Sequence, residues 1–141
     1  MNKTGFNKKD LALILVLVTV GVLTRTVFHI GPNIEFVTGA TIAAGYFLIN
    51  KKLTFIVPLL IMLVTDLIIG NTGIYLFTWS AFLITAAIGI VVSGEFFKKI
   101  FKKFPETLSL ILKSEAAGII STIIFFLWTN FGVVVTTNMY E

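Results

Sequence analysis

The chain of 141 residues contains no cysteine, which excludes disulfides, thiolate nucleophiles and Cys-ligated metal. A single histidine, His29, is too few for an H-E-x-x-H zinc site. Ser80, Ser93, Ser109, Ser114 and Ser121 have no His or Lys base at a spacing known for serine nucleophiles. The glycines form no phosphate-cradling loop. We therefore expect a protein that is not an enzyme and that carries no metal or other cofactor. Charge is scarce as well. Only 13% of residues are Asp, Glu, Lys or Arg, too few to coat a soluble domain of this length.

What is present is hydrocarbon. Hydrophobic residues make up 57% of the chain, Phe alone reaches 14, and the mean hydropathy is +0.99. Five apolar runs are legible, at about 11–28, 34–49, 53–69, 74–92 and 116–135, against the roughly 20 residues that a membrane-spanning helix requires. The gaps between them alternate in charge. Lys3, Lys8 and Lys9 precede the first run, Lys51 and Lys52 separate the second from the third, and Lys98, Lys99, Lys102 and Lys103 follow the fourth. Gly31-Pro32-Asn33 and Gly70-Asn71-Thr72-Gly73 carry no lysine. Cytoplasmic loops collect Lys and Arg, so the pattern predicts a cytoplasmic N-terminus in a multi-pass protein of the cell membrane. The same placement assigns the net charge of +4 to topology rather than to nucleic acid. The start imitates a signal peptide, but Thr24-Arg25-Thr26 stands where small residues would mark cleavage, and the first run reads as a retained helix.

The expected architecture is an all-α membrane protein, a compact bundle of five transmembrane helices forming one domain over 1–141. Small residues recur four apart in three runs: Gly39 with Ala43, Ala40 with Ala44 and Thr41 with Gly45; Ala81, Thr85, Gly89 and Ser93; Ser114, Gly118 and Thr122 beside Ala117 and Ser121. Such rows let helices approach closely in lipid and make Gly39, Ala43, Gly89 and Gly118 the packing candidates. Pro58 falls inside the third run, where a kink is tolerated. Lys102, Lys103 and Glu106 face Phe101, Phe104, Leu108 and Leu112, which predicts an interfacial amphipathic segment over about 100–112. Lys113 then snorkels at the inner boundary.

Intramembrane polar groups are costly and face partners or cavities. Arg25 lies near the outer end of the first run, and Asp66 stands about 20 Å above Leu53 at a rise of about 1.5 Å per residue. Asn130 stands at a similar height, about 21 Å above Ala116. With His29 and Asn33 on the first external loop and Trp79 at the top of the fourth run, these residues form one outer polar cluster, the candidate ligand site. For Arg25 and Asp66 a structural ion pair and a ligand contact are equally open readings. Tyr75, Trp79 and Trp128 also suit an aromatic belt, His29 a plain loop residue, and Glu95 and Glu115 pair naturally with Lys98, Lys99 or Lys113.

Arg25 followed by Pro32-Asn33, Thr38-Gly39-Ala40, Pro58-Leu59-Leu60, Thr65-Asp66 and finally Thr129-Asn130-Phe131-Gly132 resembles an uncharacterised family of small bacterial and archaeal membrane proteins. That family is in turn similar in organisation to the substrate-binding S components of energy-coupling factor transporters. The resemblance implies capture of a small solute from the outer face, and an energy-coupling membrane subunit and ATPases as partners. It also implies a sixth span, which this chain lacks after its fifth, so the sequence reads as a fragment. S components often carry Ala-x-x-x-Ala in the first helix; here only Ala12 is present. The reading from another class is a non-transporting membrane scaffold resembling the rod-shape protein MreD.

Overall fold

The structure, a computed structural model, describes residues 7–28, 36–70 and 73–136. His29, Asn33 and the two loops without lysine therefore lie outside the described residues, apart from Phe36, Gly70 and Gly73 at their edges. Among the described residues every regular element is helical.

Helix α1 (Lys8–Thr26) begins where the Asn7 side chain accepts a hydrogen bond from the Lys9 N–H at 3.1 Å. Asp10 in its first turn and Arg25 in its last suit the helix dipole. Asp10, Ile14, Leu17 and Gly21 are buried and recur at helical period, so one stripe faces inward. Arg25, four residues beyond Gly21, continues that stripe. Gly21 must be small, because a Cβ there would stand 2.5 Å from Ile61 Cδ1.

Helix α2 (Val37–Phe47) is short, and beside its alanines it carries two Gly, two Thr and a Val, which are weak helix formers. Burial holds it: Val37, Ala40 and Ala44 are fully enclosed. Leu48 turns extended, and the chain re-enters through a 3₁₀ helix, Lys51–Phe55, into α3 (Ile56–Ile69). Pro58 sits in the first turn of α3. Instead of kinking the middle of a span, it falls just beyond the change from 3₁₀ to α, near a helix start where a missing N–H costs least. Gly70, at φ 91°, ends α3, its N–H donating to the Asp66 carbonyl at 3.0 Å.

Helix α4 (Tyr75–Val92) presents Ala81, Thr85 and Gly89 as a buried row. It meets α2 at backbone distance. A Cβ on Gly45 would stand 2.6 Å from the Gly89 carbonyl carbon, and one on Gly89 would stand 3.1 Å from Ile42 Cα. The close approach is thus made by Gly45 and Gly89. Gly39, on the other side of α2, is exposed, while Ala43 is half-buried against the core.

Helix α5 (Glu95–Ile100), a 3₁₀ turn (Phe101–Lys103) and α6 (Glu106–Thr136) complete the chain. The segment expected along the interface is divided, since from Glu106 onward it belongs to the continuous α6. At 31 residues, α6 is roughly 45 Å long, well beyond the thickness of about 30 Å of a bilayer's hydrocarbon. Its buried row is Ser109, Lys113, Ala117 and Ser121, one residue ahead of Ser114, Gly118 and Thr122. Nothing lies within 4 Å of a Cβ built on Gly118.

Among the described residues three segments are long and apolar enough to cross a membrane: Lys51–Ile69, Tyr75–Val92 and Glu106–Thr136. Val37–Phe47 is apolar but shorter, and α1 carries Lys8, Lys9, Asp10 and Arg25. Large apolar side chains lie bare across the bundle, Leu67 at 80% exposure, Leu15 at 59% and Leu127 at 63% among them. Water does not tolerate apolar surface on this scale. The surface is that of a membrane protein.

Replacing Gly45 by Ala forces α2 and α4 apart and should cost about 1 to 3 kcal/mol, as overpacking does. Gly118→Ala meets open space and should be neutral or stabilising by up to about 1 kcal/mol through helix propensity. Melting temperatures in detergent check the contrast, and equal effects at the two positions would contradict the observed packing.

Candidate functional site

The inward stripes of α1 and α3 decide what meets at the end of the bundle away from Asp10. Arg25 extends the first stripe, and Asp66 follows the buried Met62 by one turn on α3. Arg25 Nη2 stands 3.3 Å from Asp66 Oδ1, with the two side chains only 15% and 9% exposed. Arg25 Nη1 points at Met62 Sδ. The other carboxylate oxygen, Asp66 Oδ2, accepts the indole N–H of Trp79 on α4 at 2.8 Å. Three helices thus share one carboxylate. A charge removed from water in this way needs both a counter-charge and a hydrogen bond, and Asp66 has each.

Asn130 is not part of this cluster. It is exposed on α6, and its amide donates to the Phe126 carbonyl of its own helix at 2.7 Å. An i−4 carbonyl satisfies a polar side chain without any tertiary partner, so common height along the chain does not imply convergence. Between α4 and α6 the contact is aromatic. Trp128 donates to Ser80 Oγ at 2.8 Å, and Phe77 packs against Trp128 and Phe131 at ring separations of 5.5 and 6.1 Å. Gly132 makes room for that ring, since a Cβ there would stand 2.5 Å from Phe77 Cγ.

The opposite end gathers the start of α1, the α2–α3 connection, α5 and the start of α6. Asp10 is 2% exposed, and its two oxygens accept the N–H groups of Ile49 at 2.9 Å and Asn50 at 3.0 Å. This carboxylate ties α1 to a turn 39 residues away in sequence. Only its place in the first helical turn could have signalled it, and that reads equally well as a dipole charge. Lys51 Nζ donates to the Gly45 and Tyr46 carbonyls at 2.8 and 2.9 Å, at the negative end of the α2 dipole. Lys113 is buried, with Nζ 3.4 Å from Tyr46 Oη. Glu95 pairs with Lys98 at 2.6 Å. Their hydrogen bond holds the Glu95 carboxyl below its ordinary range and Lys98 above its own. Glu115 is exposed and makes no ion pair with a described residue.

Two buried hydroxyls, Thr54 Oγ1 and Ser121 Oγ, have no hydrogen-bond partner among the described residues. The other buried threonines bond back to their own helices, as Thr41 does to Val37 at 2.7 Å and Thr65 to Ile61 at 2.8 Å. Among the described residues no group of His, Asp or Glu is arranged to hold a metal ion.

If Arg25 and Asp66 support each other, the destabilisations caused by the single variants Arg25→Met and Asp66→Leu should sum to more than that of the double variant. The expected coupling is about 1 to 3 kcal/mol, read from detergent melting of the four proteins. A coupling near zero would mean that the pair is held by its surroundings.

No curated protein and no solved structure matches this chain. A family match does exist, and it spans residues 6–141, taking in both polar ends and every described helix. The chain belongs to the family of unknown function DUF6580.

Proposed function

We propose that this protein is a substrate-binding transport component of the cell membrane, akin to the S components of energy-coupling factor transporters, which takes a small solute from the outer face. The observation that carries the reading is the Arg25–Asp66–Trp79 cluster. An ion pair and an indole donor stand together in a chain that is otherwise mostly hydrocarbon, at the end opposite the lysines. Apolar side chains would join three helices at lower desolvation cost, so retention of charge here favours a polar ligand. In this reading the chain crosses the membrane five times with its N-terminus in the cytoplasm, and an energy-coupling subunit with ATPases supplies the driving force. His29 and Asn33 lie on the loop that would rim the site. One observation favours the scaffold reading, in the manner of MreD: both Asp66 oxygens are already engaged within the protein.

Native mass spectrometry of the protein in mild detergent separates the two. A bound solute should be retained by the wild type, and Asp66→Asn should reduce retention by more than it lowers the melting temperature. Equal loss of retention and stability, or no retained solute at all, would favour the scaffold.

Topology is tested in intact cells with a membrane-impermeant thiol reagent, which the absence of native cysteine makes clean. Asn71→Cys should label from outside, and Lys52→Cys and Lys103→Cys should label only after permeabilisation. External labelling of Lys52→Cys would reverse the assignment.

A further inference from the structure

We infer that the lysine-rich end holds a site for a phosphate-bearing anion, formed by Lys51, Lys98, Lys113 and the Tyr46 hydroxyl, and that the headgroup of an anionic lipid is its occupant. The argument begins with Lys113. Its side chain belongs to a residue only 4% exposed, and no carboxylate among the described residues lies within ion-pair distance of it. Its contacts are the Tyr46 hydroxyl at 3.4 Å and the face of the Tyr46 ring, with Nζ 5.4 Å from the centroid. Neither contact neutralises an ammonium group. Buried charges are paired or they are disfavoured, and no described residue supplies the counter-ion of Lys113, which leaves room for an external anion.

The surroundings have the composition of an anion site. Lys51 Nζ spends two donors on the Gly45 and Tyr46 carbonyls, which leaves one of its three. Tyr46 Oη accepts from Lys113, and its own proton is donated to no described residue. Lys98 on α5, bonded to Glu95 at 2.6 Å, adds a third cation whose charge acts on Lys51. Two carboxylates stand nearby. Asp10 spends its oxygens on the backbone N–H groups of Ile49 and Asn50, and Glu95 is exposed and bonded to Lys98. Cation remains in surplus, drawn from three separate elements, around one phenol.

The position favours a lipid as the source. Lys113 lies in the third turn of α6 and Lys51 opens the segment Lys51–Ile69, both at ends of helices able to cross a membrane. Phe96, Ile100 and Phe104, on the segment that leads into α6, are exposed. Basic pockets between membrane helices at one leaflet commonly take lipid headgroups.

The test uses the full chain in phosphatidylcholine nanodiscs, with and without phosphatidylglycerol, and counts lipid retained after transfer to detergent by native mass spectrometry. The wild type should retain phosphatidylglycerol in preference to phosphatidylcholine. Lys113→Met, which removes the charge but keeps the length, should lower that preference by about fivefold, the ratio matching about 1 kcal/mol for a lysine at an anionic headgroup. Lys98→Gln, at an exposed side chain with no part in packing, should lower it similarly, so the outcome does not depend on the folding of the Lys113 variant. Lys103→Gln, exposed at the same end but outside the cluster, should leave it unchanged. A parallel arm adds inorganic phosphate to protein in detergent. Thermal stabilisation by phosphate that is lost in Lys113→Met, without lipid preference, would support the anion site and assign it to a soluble phosphate. Equal retention of the two lipids with no effect of phosphate, or equal losses from Lys103→Gln and Lys113→Met, would overturn the site.

Discussion

The backbone contact between Gly45 and Gly89 is the constraint on which the rest of the bundle depends. In lipid there is no hydrophobic force between helices, so association rests on close packing and on interhelical polar bonds. Here α2 and α4 approach until a single added methyl carbon would touch main-chain atoms. That approach centres α2, a helix too short and too poor in helix formers to stand alone. With α2 fixed, Ala40 and Ala44 are enclosed, α1 and α3 pack on one flank through Gly21 and Ile61, and α6 closes the other through Ala117. The polar clusters at the two ends are consequences of this arrangement. Arg25 meets Asp66 because Gly21 lets α1 lie on α3, and Tyr46 meets Lys113 because Gly45 seats the end of α2 in the bundle.

Much of this was legible in the sequence, for reasons that differ between elements. The loop lysines were informative because their neighbours are almost wholly apolar, and the structure gathers the lysine-bearing connections at one end. The α4 row of Ala81, Thr85 and Gly89 was legible because its opposite faces are bulky. On α6 two adjacent rows are both small or polar, and a shift of one residue rotates the helix by about 100°. Spacing alone could not choose between Gly118 and Ala117. Pro58 illustrates a different limit, since the 3₁₀ lead-in at Lys51–Phe55 moves the start of α3 to within two residues of it.

Polar residues divide in the same way. Arg25, Asp66 and Trp79 could be anticipated from depth, because each needs a partner that its own helix does not supply. Asn130 shared that depth and went elsewhere, because a carbonyl one turn back satisfied it. Asp10 and Lys113 carried the opposite signal. Both lie next to other charges in sequence, Asp10 after Lys8 and Lys9 and Lys113 close to Glu115, so each resembled a solvated boundary residue. Their burial follows from contacts with the far end of α2, at Ile49, Asn50 and Tyr46, which no local pattern encodes.

The two ends therefore solve the cost of buried charge in different ways. At the Arg25 end the carboxylate of Asp66 receives a guanidinium on one oxygen and an indole N–H on the other, and compensation is internal. At the lysine-rich end the carboxylate of Asp10 accepts two main-chain N–H groups and makes no ion pair with a described residue. Those backbone bonds hold the α2–α3 turn in place, and the same turn positions Lys51 against the α2 carbonyls. The architecture thus fixes cations at that end while using its buried carboxylate for structure. A bundle built this way is stable in full only where anions are supplied from outside, as they are at an anionic membrane surface. The asymmetry links the fold to its solvent: hydrocarbon seats the helices, and headgroup charge completes the end that the protein leaves positive.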